Sequence, residues 1–300
     1  MARYVPDVVT KRWVVITPSR LTRPEDNKSK LQANNADRPS CAFCEGNEEL
    51  TPPEVWRFGG EGFWNKPGWK VRVVPNKYAI TDTHEVIIHS PEHAKDIEDL
   101  SVQQVQLVLQ VYRQRFQTHR ENGQVLIFCN HGYLAGASLS HPHSQLVVLP
   151  KQITFDSLSR EPLNNLVKDN KYFTVYCPDF SQWPYEVWIA PKQNPKDQGS
   201  FKTTAFSDTT NDELNDLAVL LQETIKKLRI VSASPKIKKL SKDGEFAYNY
   251  YIYHGNEWYL RIIPRFINRA GFELGTGLSV NIVDPGIVAE ELRGIDLRES

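Results

Sequence analysis

The sequence predicts an α+β protein built from two diverged halves, in which a mostly antiparallel sheet is flanked by helices. Two long segments repeat apolar residues with helical spacing, and most other ordered segments alternate like strands. The same order of elements also occurs twice along the chain. With 300 residues, 40% of them hydrophobic, the chain is long enough for one large domain or two closely packed halves.

Apolar residues recur at three- and four-residue steps over residues 101–120 and 211–229, which predicts one helix in each segment. The second segment also carries start signals. Thr210 or Asn211 can serve as its N-cap, and Asp212 and Glu213 favour the positive end of the helix dipole in the first turn.

The remaining ordered segments are rich in β-branched and aromatic residues, a composition typical of strands. We predict strands at residues 12–16, 70–74, 85–89, 125–130, 144–149, 173–176, 186–189, 246–254, 258–263 and 278–282.

A faint internal repeat relates these elements. The order HEVIIHSPEH, helix, VLIFCNHG, SHPHSQLVVLP recurs as YEVWIAPK, helix, YNYYIYHG, EWYLRIIPR. Two diverged copies of one α+β unit explain this order. We place the N-terminal half at residues 1–165 and the C-terminal half, which completes the substrate site, at residues 166–300.

Composition argues against several classes of partner. The 36 basic residues balance the 36 acidic residues, and a neutral chain lacks the positive field that nucleic acid or an anionic membrane would require. The N-terminus has no signal-peptide pattern, and no apolar run approaches the ~20 residues of a membrane span. Four cysteines, two of them in Cys-x-x-Cys, fit a reducing compartment. We expect a cytoplasmic protein.

The segment His141-Pro142-His143-Ser144-Gln145 carries the clearest chemical signal. Successive side chains of an extended chain alternate between faces, so His141, His143 and Gln145 should project together. Pro142 cannot donate to a central ladder and should mark the start or the edge of the strand. Two imidazoles and one amide on a single face make a poor core, so this face predicts a functional site.

The Cys41-Ala42-Phe43-Cys44 segment resembles a zinc knuckle more than a redox motif. A closed tetrahedral site needs two further ligands, and His93 and His141 are the best candidates. Their distant spacing leaves a second interpretation open, in which the two thiols are reduced and bind no metal. If all four residues bind, the site has no open position, and its metal braces the loop beside the catalytic strand.

The other histidines and cysteines carry weaker signals. His84, His89 and His119 are interpreted as surface histidines or as buried ones with satisfied hydrogen bonds. Cys129 and Cys177 lie in apolar, strand-like runs and are interpreted as small core residues.

Several motifs in one order resemble the galactose-1-phosphate uridylyltransferase family, a branch of the histidine-triad superfamily. They are KRWVVITPSRLTRP, CAFCEGNEELTPPEV, VRVVPNKYAI, HEVIIHSPEH, NHGYLAGASLSHPHSQLVVLP and AGFELGTGLSVN. The resemblance covers nearly the whole chain and implies that both halves have a histidine-triad-like fold.

This resemblance implies a role for each matching residue. One structural zinc ion would be held by Cys41, Cys44, His93 and His141. His143 would be the nucleophile, with Gln145 and Ser138 at the phosphates. Other substrate contacts would come from Arg20, Arg23, Asn76, Asn130 and Glu273. The resemblance also implies a homodimer that acts on a nucleotide sugar together with a sugar 1-phosphate or phosphate.

Three functions follow as hypotheses. The first is UDP-glucose:hexose-1-phosphate uridylyltransferase activity through a nucleotidyl-His143 intermediate in a ping-pong cycle. The second is an ADP-sugar phosphorylase or adenylyltransferase with the same mechanism, and the third is a non-catalytic, zinc-stabilised nucleotide-binding protein. Gln145 favours transfer over hydrolysis, because an amide can hydrogen-bond to an oxygen atom but cannot give a proton to a leaving group.

One departure from the family concerns the second half. Many relatives have a His-x-His-like element where this chain has Glu257-Trp258-Tyr259, although His254 remains. A second metal site is therefore in doubt.

Overall fold

The computed structural model describes residues 2–10, 12–22, 41–60, 63–153, 155, 158–160, 162–192, 205–240, 245–253, 255 and 257–298. The chain divides into two compact units. The first comprises Met1–Cys129 and Ala137–Leu158, and the second comprises Asn130–Gly136 and Ser159–Ser300. The division into halves at residues 165 and 166 stays a prediction about the internal repeat. No helix in the described ranges is long and apolar enough to span a membrane.

The first unit contains a small two-stranded sheet and most of a run of five further strands. Strands β1 (Arg3–Pro6) and β2 (Trp13–Ile16) pair with each other. These five strands follow the order β3-β4-β5-β7-β6, and every neighbouring pair is antiparallel. They are β3 (Trp56–Phe58), β4 (Val71–Pro75), β5 (Thr83–Ile88), β6 (Gln124–His131) and β7 (His143–Leu149).

Helix α1 (Val102–His119) lies between β5 and β6 in the chain and confirms the first predicted helix. Ser101 is its N-cap, and the Ser101 hydroxyl accepts a hydrogen bond from the backbone N–H of Gln104 at 3.1 Å. The apolar stripe that predicted the helix is buried, as Val105, Val108, Leu109, Tyr112 and Phe116 show. Gln104 also donates to the carbonyl oxygens of Lys70 and His89, which fastens the first turn to neighbouring segments.

The second unit repeats this plan. Its five strands have the order β8-β9-β10-β12-β11, and neighbouring strands are again antiparallel. A long helix lies between β10 and β11 in the chain, as α1 lies between β5 and β6. The elements are β8 (Leu166–Asp169), β9 (Phe173–Tyr176), β10 (Val187–Pro191), α2 (Asn211–Ser232), α3 (Pro235–Lys238), β11 (Tyr248–Tyr253), β12 (Tyr259–Pro264), α4 (Gly271–Thr276) and α5 (Pro285–Gly294). The predicted α+β class with two diverged halves is therefore confirmed.

Helix α2 begins where the sequence placed it. Thr210 is the N-cap, and its hydroxyl accepts from the backbone N–H of Glu213 while the Glu213 carboxylate accepts from the backbone N–H of Thr210. This reciprocal capping box satisfies two backbone donors that have no partner inside the helix.

The predicted strand at residues 278–282 is wrong. This segment lies between α4 and α5 and has no regular structure. Leu278, Val280 and Ile282 are all exposed, so the alternation of apolar residues there covers no core. A strand requires a partner for its backbone groups, and the described residues supply none for this segment. The sequence also missed the short elements β1, β3, β8, α3, α4 and α5.

A buried ion pair attaches the segment after Cys44 to strand β4. Arg72 on β4 is 1% exposed, and its Nε donates to Glu54 Oε2 at 2.7 Å. Its Nη1 donates to Thr51 Oγ1 at 2.9 Å. Because a buried guanidinium needs both a counter-charge and acceptors, this pair holds residues 51–54 in one place.

We predict that Glu54→Ala lowers the free energy of unfolding by about 3–5 kcal/mol, because it leaves the Arg72 charge buried without its carboxylate. Glu92→Ala is the matched control, since Glu92 pairs with Lys95 at a surface where both side chains are about half exposed. The control substitution should lower the free energy of unfolding by about 0–1 kcal/mol. Urea denaturation measures both values, and equal losses in the two variants would contradict the prediction.

Candidate active site and metal centre

Four ligand side chains from three separate segments meet in the first unit. The Sγ and nitrogen atoms of Cys41, Cys44, His93 and His141 all lie within 4.8 Å of one another. Cys44 Sγ is 3.3 Å from His93 Nδ1 and 3.6 Å from His141 Nδ1, and Cys41 Sγ is 3.8 Å from His141 Nδ1. Of the two interpretations that spacing left open, the structure therefore favours a group able to bind a metal ion.

The spacing of these atoms fits a cation with tetrahedral coordination. Zn–S bonds of ~2.3 Å and Zn–N bonds of ~2.0 Å at a tetrahedral angle place sulfur and nitrogen about 3.6 Å apart. The local backbone supports the cluster, because Cys44 N–H donates to the Cys41 carbonyl and Asn47 Nδ2 donates to the same oxygen. Four protein ligands leave no open position, so such a site would be structural.

Both histidines turn Nδ1 toward the cysteines. His141 Nε2 donates to the carbonyl oxygen of Ser90 at 2.9 Å, which leaves the lone pair on Nδ1 for a ligand bond. His93 Nε2 lies 3.3 Å from Ser140 Oγ. Burial is the main reason that the pKa of His141 falls to about 4, so this imidazole is neutral at pH 7, the state that a metal ligand requires.

The Cys44 thiol needs a compensating cation before it can ionise at neutral pH. Burial, together with the neighbouring Cys41, raises the pKa of the Cys44 thiol to about 12. A bound divalent cation supplies the opposite charge and reverses this preference, because metal-coordinated thiols lose their protons. The cluster therefore has the chemistry of a metal site that is complete only with its ion.

His143 begins strand β7, as expected after Pro142, and it is 8% exposed. Its Nδ1 donates to the backbone carbonyl oxygen of His141 at 2.8 Å. This bond fixes the tautomer with its proton on Nδ1, and Nε2 therefore keeps the lone pair. The Phe43 ring lies edge-on to the imidazole, with the ring centroids 5.2 Å apart.

His143 and Gln145 line a cavity of about 310 Å³ in the first unit. This volume is at the lower end of the range for small-molecule sites. Its lining combines apolar residues and prolines with polar side chains. The lining residues are Cys41, Ala42, Phe43, Leu50, Thr51, Pro52, Val74, Pro75, Asn76, Lys77, Tyr78, Val86, His93, Ser138, Leu139, Ser140, His143 and Gln145.

Three other residues singled out in the sequence also lie at or near this cavity. Asn76 and Ser138 line it. Arg20 is not a lining residue, but its Nη1 donates to the carbonyl oxygen of Tyr78, which lines the cavity, at 2.6 Å.

Asn130 and Glu273 are not among the residues that line this cavity. Asn130 belongs to the second unit, where its Oδ1 accepts from Asn249 Nδ2 at 2.8 Å. Glu273 also lies in the second unit, on α4, where its carboxylate accepts from the backbone N–H of Ala270. Arg23 lies outside the described residues. The roles assigned to these three residues stay predictions.

The opposite face of β7 is tied to helix α1. Ser144 is completely buried, and its hydroxyl hydrogen-bonds to Tyr112 and lies 2.6 Å from His89 Nε2. His119 lies 2.9 Å from a Glu85 carboxylate oxygen, and His84 contacts Gln145. His84, His89 and His119 are therefore histidines with hydrogen-bond partners, as expected. Cys129 and Cys177 are buried core residues.

The second unit has no counterpart of the metal cluster among its described residues. Strand β12, which corresponds to β7, begins with Tyr259 and Leu260, both buried. The next residue, Arg261, forms a buried bidentate ion pair with Glu186 at 2.7 and 2.8 Å. His254, the histidine retained in this half, lies outside the described residues.

The chain is similar to several known proteins. Residues 80–151 match the family model for the N-terminal domain of galactose-1-phosphate uridyl transferase. ADP-glucose phosphorylase of Arabidopsis thaliana is 28% identical over 97% of this chain and 92% of that protein. Galactose-1-phosphate uridylyltransferase of Thermotoga maritima is 24% identical over 97% of both chains.

Two solved structures from Arabidopsis thaliana resemble the whole chain. The crystal structure of an ADP-glucose phosphorylase with bound ADP-glucose has a TM-score of 0.69 and 25% identity, and it covers 99% of this chain and 100% of that chain. The structure of a galt-like protein has a TM-score of 0.71 and 26% identity, with 98% and 99% coverage.

We predict that the purified protein carries one tightly bound metal ion and that Cys44→Ser reduces the metal content to near zero, since a hydroxyl is a poor fourth ligand here. Elemental analysis after dialysis measures the content. Cys177→Ala is the matched control, because this buried thiol lies in the second unit and should leave the metal content unchanged. Equal metal content in the wild type and Cys44→Ser would contradict the prediction.

Proposed function

We propose that this chain is a nucleotidyltransferase of the galactose-1-phosphate uridylyltransferase family and that it transfers a nucleoside monophosphate through His143. The observation that carries the proposal is the His143 imidazole. Its proton is held on Nδ1 by the His141 carbonyl, and its ring lines a cavity of suitable size. The donor would be a nucleotide sugar.

In the first step, His143 Nε2 attacks the α-phosphorus of the donor. The new P–N bond forms as the bond between that phosphorus and the bridging oxygen breaks, and the sugar 1-phosphate leaves with the electron pair. The ring gains positive charge while keeping its Nδ1 proton. The carbonyl oxygen of His141, 2.8 Å away, stabilises that charge.

In the second step, a phosphate oxygen of the acceptor attacks the same phosphorus. The P–N bond breaks, and neutral His143 is restored. Neither step requires a proton for its leaving group, because a sugar phosphate leaves already ionised and an imidazole leaves neutral. This chemistry agrees with an amide, and not a third imidazole, at Gln145.

We assign the surrounding roles as follows. The Gln145 amide and the Ser138 hydroxyl donate to phosphate oxygens, Asn76 contacts the nucleotide, and Arg20 with Arg23 holds an anionic group of the substrate. Asn130 is assigned to the nucleotide and Glu273 to the sugar or phosphate partner. A homodimer is the expected assembly.

We propose zinc as the metal of the Cys41, Cys44, His93 and His141 cluster. Two thiolates and two imidazoles in a closed tetrahedron are a typical structural zinc set. The ion would brace the backbone beside His143, and with four protein ligands it has no position for substrate or water.

Two donors remain as candidates. UDP-glucose with a hexose 1-phosphate acceptor is the first, supported by the family match over residues 80–151. ADP-glucose with inorganic phosphate as the acceptor is the second, and the similarity to ADP-glucose phosphorylase over 97% of this chain specifically favours it. The apolar residues that line the cavity suit the face of either base.

We predict that the wild-type protein, mixed with either sugar nucleotide and no acceptor, gains the mass of one nucleoside monophosphate, and that His143→Ala does not. Intact-mass spectrometry separates UMP from AMP and therefore identifies the donor. Phosphorolysis of ADP-glucose and exchange between UDP-glucose and galactose 1-phosphate then test the acceptor. A folded, metal-loaded wild type that binds both sugar nucleotides but is labelled by neither would contradict the proposal and favour a non-catalytic nucleotide-binding protein.

A further inference from the structure

The end of the Gln145 amide that faces the cavity decides what this residue can do for a phosphate. An amide NH₂ donates to a phosphate oxygen, whereas an amide oxygen repels it. The two ends differ by a half-turn of one side-chain torsion. An enzyme that uses Gln145 in the proposed role therefore needs something to hold the amide in one orientation.

We propose that His84 is a positioning residue that fixes the Gln145 amide with its NH₂ end available to the substrate phosphates. The inference deepens the proposed function and rests on it. His84 lies on β5, which pairs with β7, and it is 4% exposed.

The orientation follows from a backbone N–H group, which can only donate a hydrogen bond. The backbone N–H of Ile80 donates to His84 Nδ1 at 2.9 Å, so Nδ1 must carry the lone pair. The proton of a neutral His84 is then on Nε2. His84 Nε2 is 2.9 Å from Gln145 Oε1, and an N–H at this position requires an acceptor. Gln145 must therefore turn its oxygen toward His84.

A second donor supports the same orientation. The backbone N–H of Tyr78 donates to Asn76 Oδ1 at 2.8 Å, which turns the Asn76 amide nitrogen the other way. That nitrogen lies 3.4 Å from Gln145 Oε1 and 3.2 Å from His84 Nε2. Since both nitrogens carry protons, they share the Gln145 oxygen as acceptor.

The two ends of the Gln145 amide therefore have different roles. Its oxygen is used by two donors that are themselves oriented by backbone N–H groups, and its NH₂ is directed away from them. The equatorial phosphate oxygens carry charge in the transition state, so a donor held there in advance for that geometry contributes to the rate more than to binding.

The test compares His84→Phe with His84→Gln in single-turnover labelling of His143 by the donor found above. Phenylalanine fills the same space without a donor, so the labelling rate should fall about 10–100-fold, while the apparent affinity for the donor changes less than about threefold. Glutamine can place an NH₂ near the former Nε2 position, and it should retain the rate to within about fivefold. Metal content and thermal midpoint identify any variant that fails to fold.

Two further comparisons separate positioning from a merely structural role. His119→Gln is the matched control, because this histidine contacts Glu85 and leaves Gln145 untouched. Its labelling rate should equal that of the wild type. In a Gln145→Ala background, His84→Phe should cause less than about a twofold further loss, since the two residues act as one unit.

Nitrogen-15 NMR of the histidine rings gives a readout that does not depend on activity, and the Nε2–H tautomer of His84 is expected. An Nδ1–H tautomer, an unchanged rate in folded His84→Phe, or additive losses in the double variant would overturn the inference. If the wild type shows no labelling with any donor, the proposed function fails, and the tautomer still reports whether His84 orients Gln145.

Discussion

The hydrogen bond from His143 Nδ1 to the carbonyl oxygen of His141 is the contact on which the rest of the site depends. It joins the proposed nucleophile to a residue of the Cys–His cluster across a single proline. The backbone between them is fixed from outside, because the N–H of His89 donates to the Pro142 carbonyl at 3.1 Å. A metal ion bound by His141 would therefore hold the His143 ring without touching the substrate.

Side chains alternate along β7, so the neighbouring residues lie on two opposite faces of the strand. His143 and Gln145 face the cavity, while Ser144 faces helix α1 and hydrogen-bonds to Tyr112. Because a strand slipped by one residue would exchange these two faces, the buried Ser144 contact also secures the register of the reactive side chains. The ion pair between Arg72 and Glu54 holds residues 51–54, which follow the segment that carries Cys41 and Cys44.

The sequence predicted what depends on local pattern and missed what depends on distant partners. Helical periodicity located both long helices, and Pro142 correctly marked the start of β7. Residues 278–282 have a strand pattern, but a strand forms only where another strand satisfies its backbone, and no pattern within the segment reveals that. For the same reason the role of His84 could not be read from the sequence. Its tautomer is set by Ile80, and its partner Gln145 is 61 residues away.

The second half shows that the fold alone does not supply the chemistry. Strands β7 and β12 occupy the same place in two five-strand runs of equal order, yet β12 carries Tyr259, Leu260 and Arg261 where β7 carries histidine, serine and glutamine. Arg261 is fully occupied by Glu186, Tyr251 and Gln182, so it stabilises its own sheet. The two halves therefore share a backbone plan and differ in the use of one strand, which is why function has to be argued from the side chains of β7.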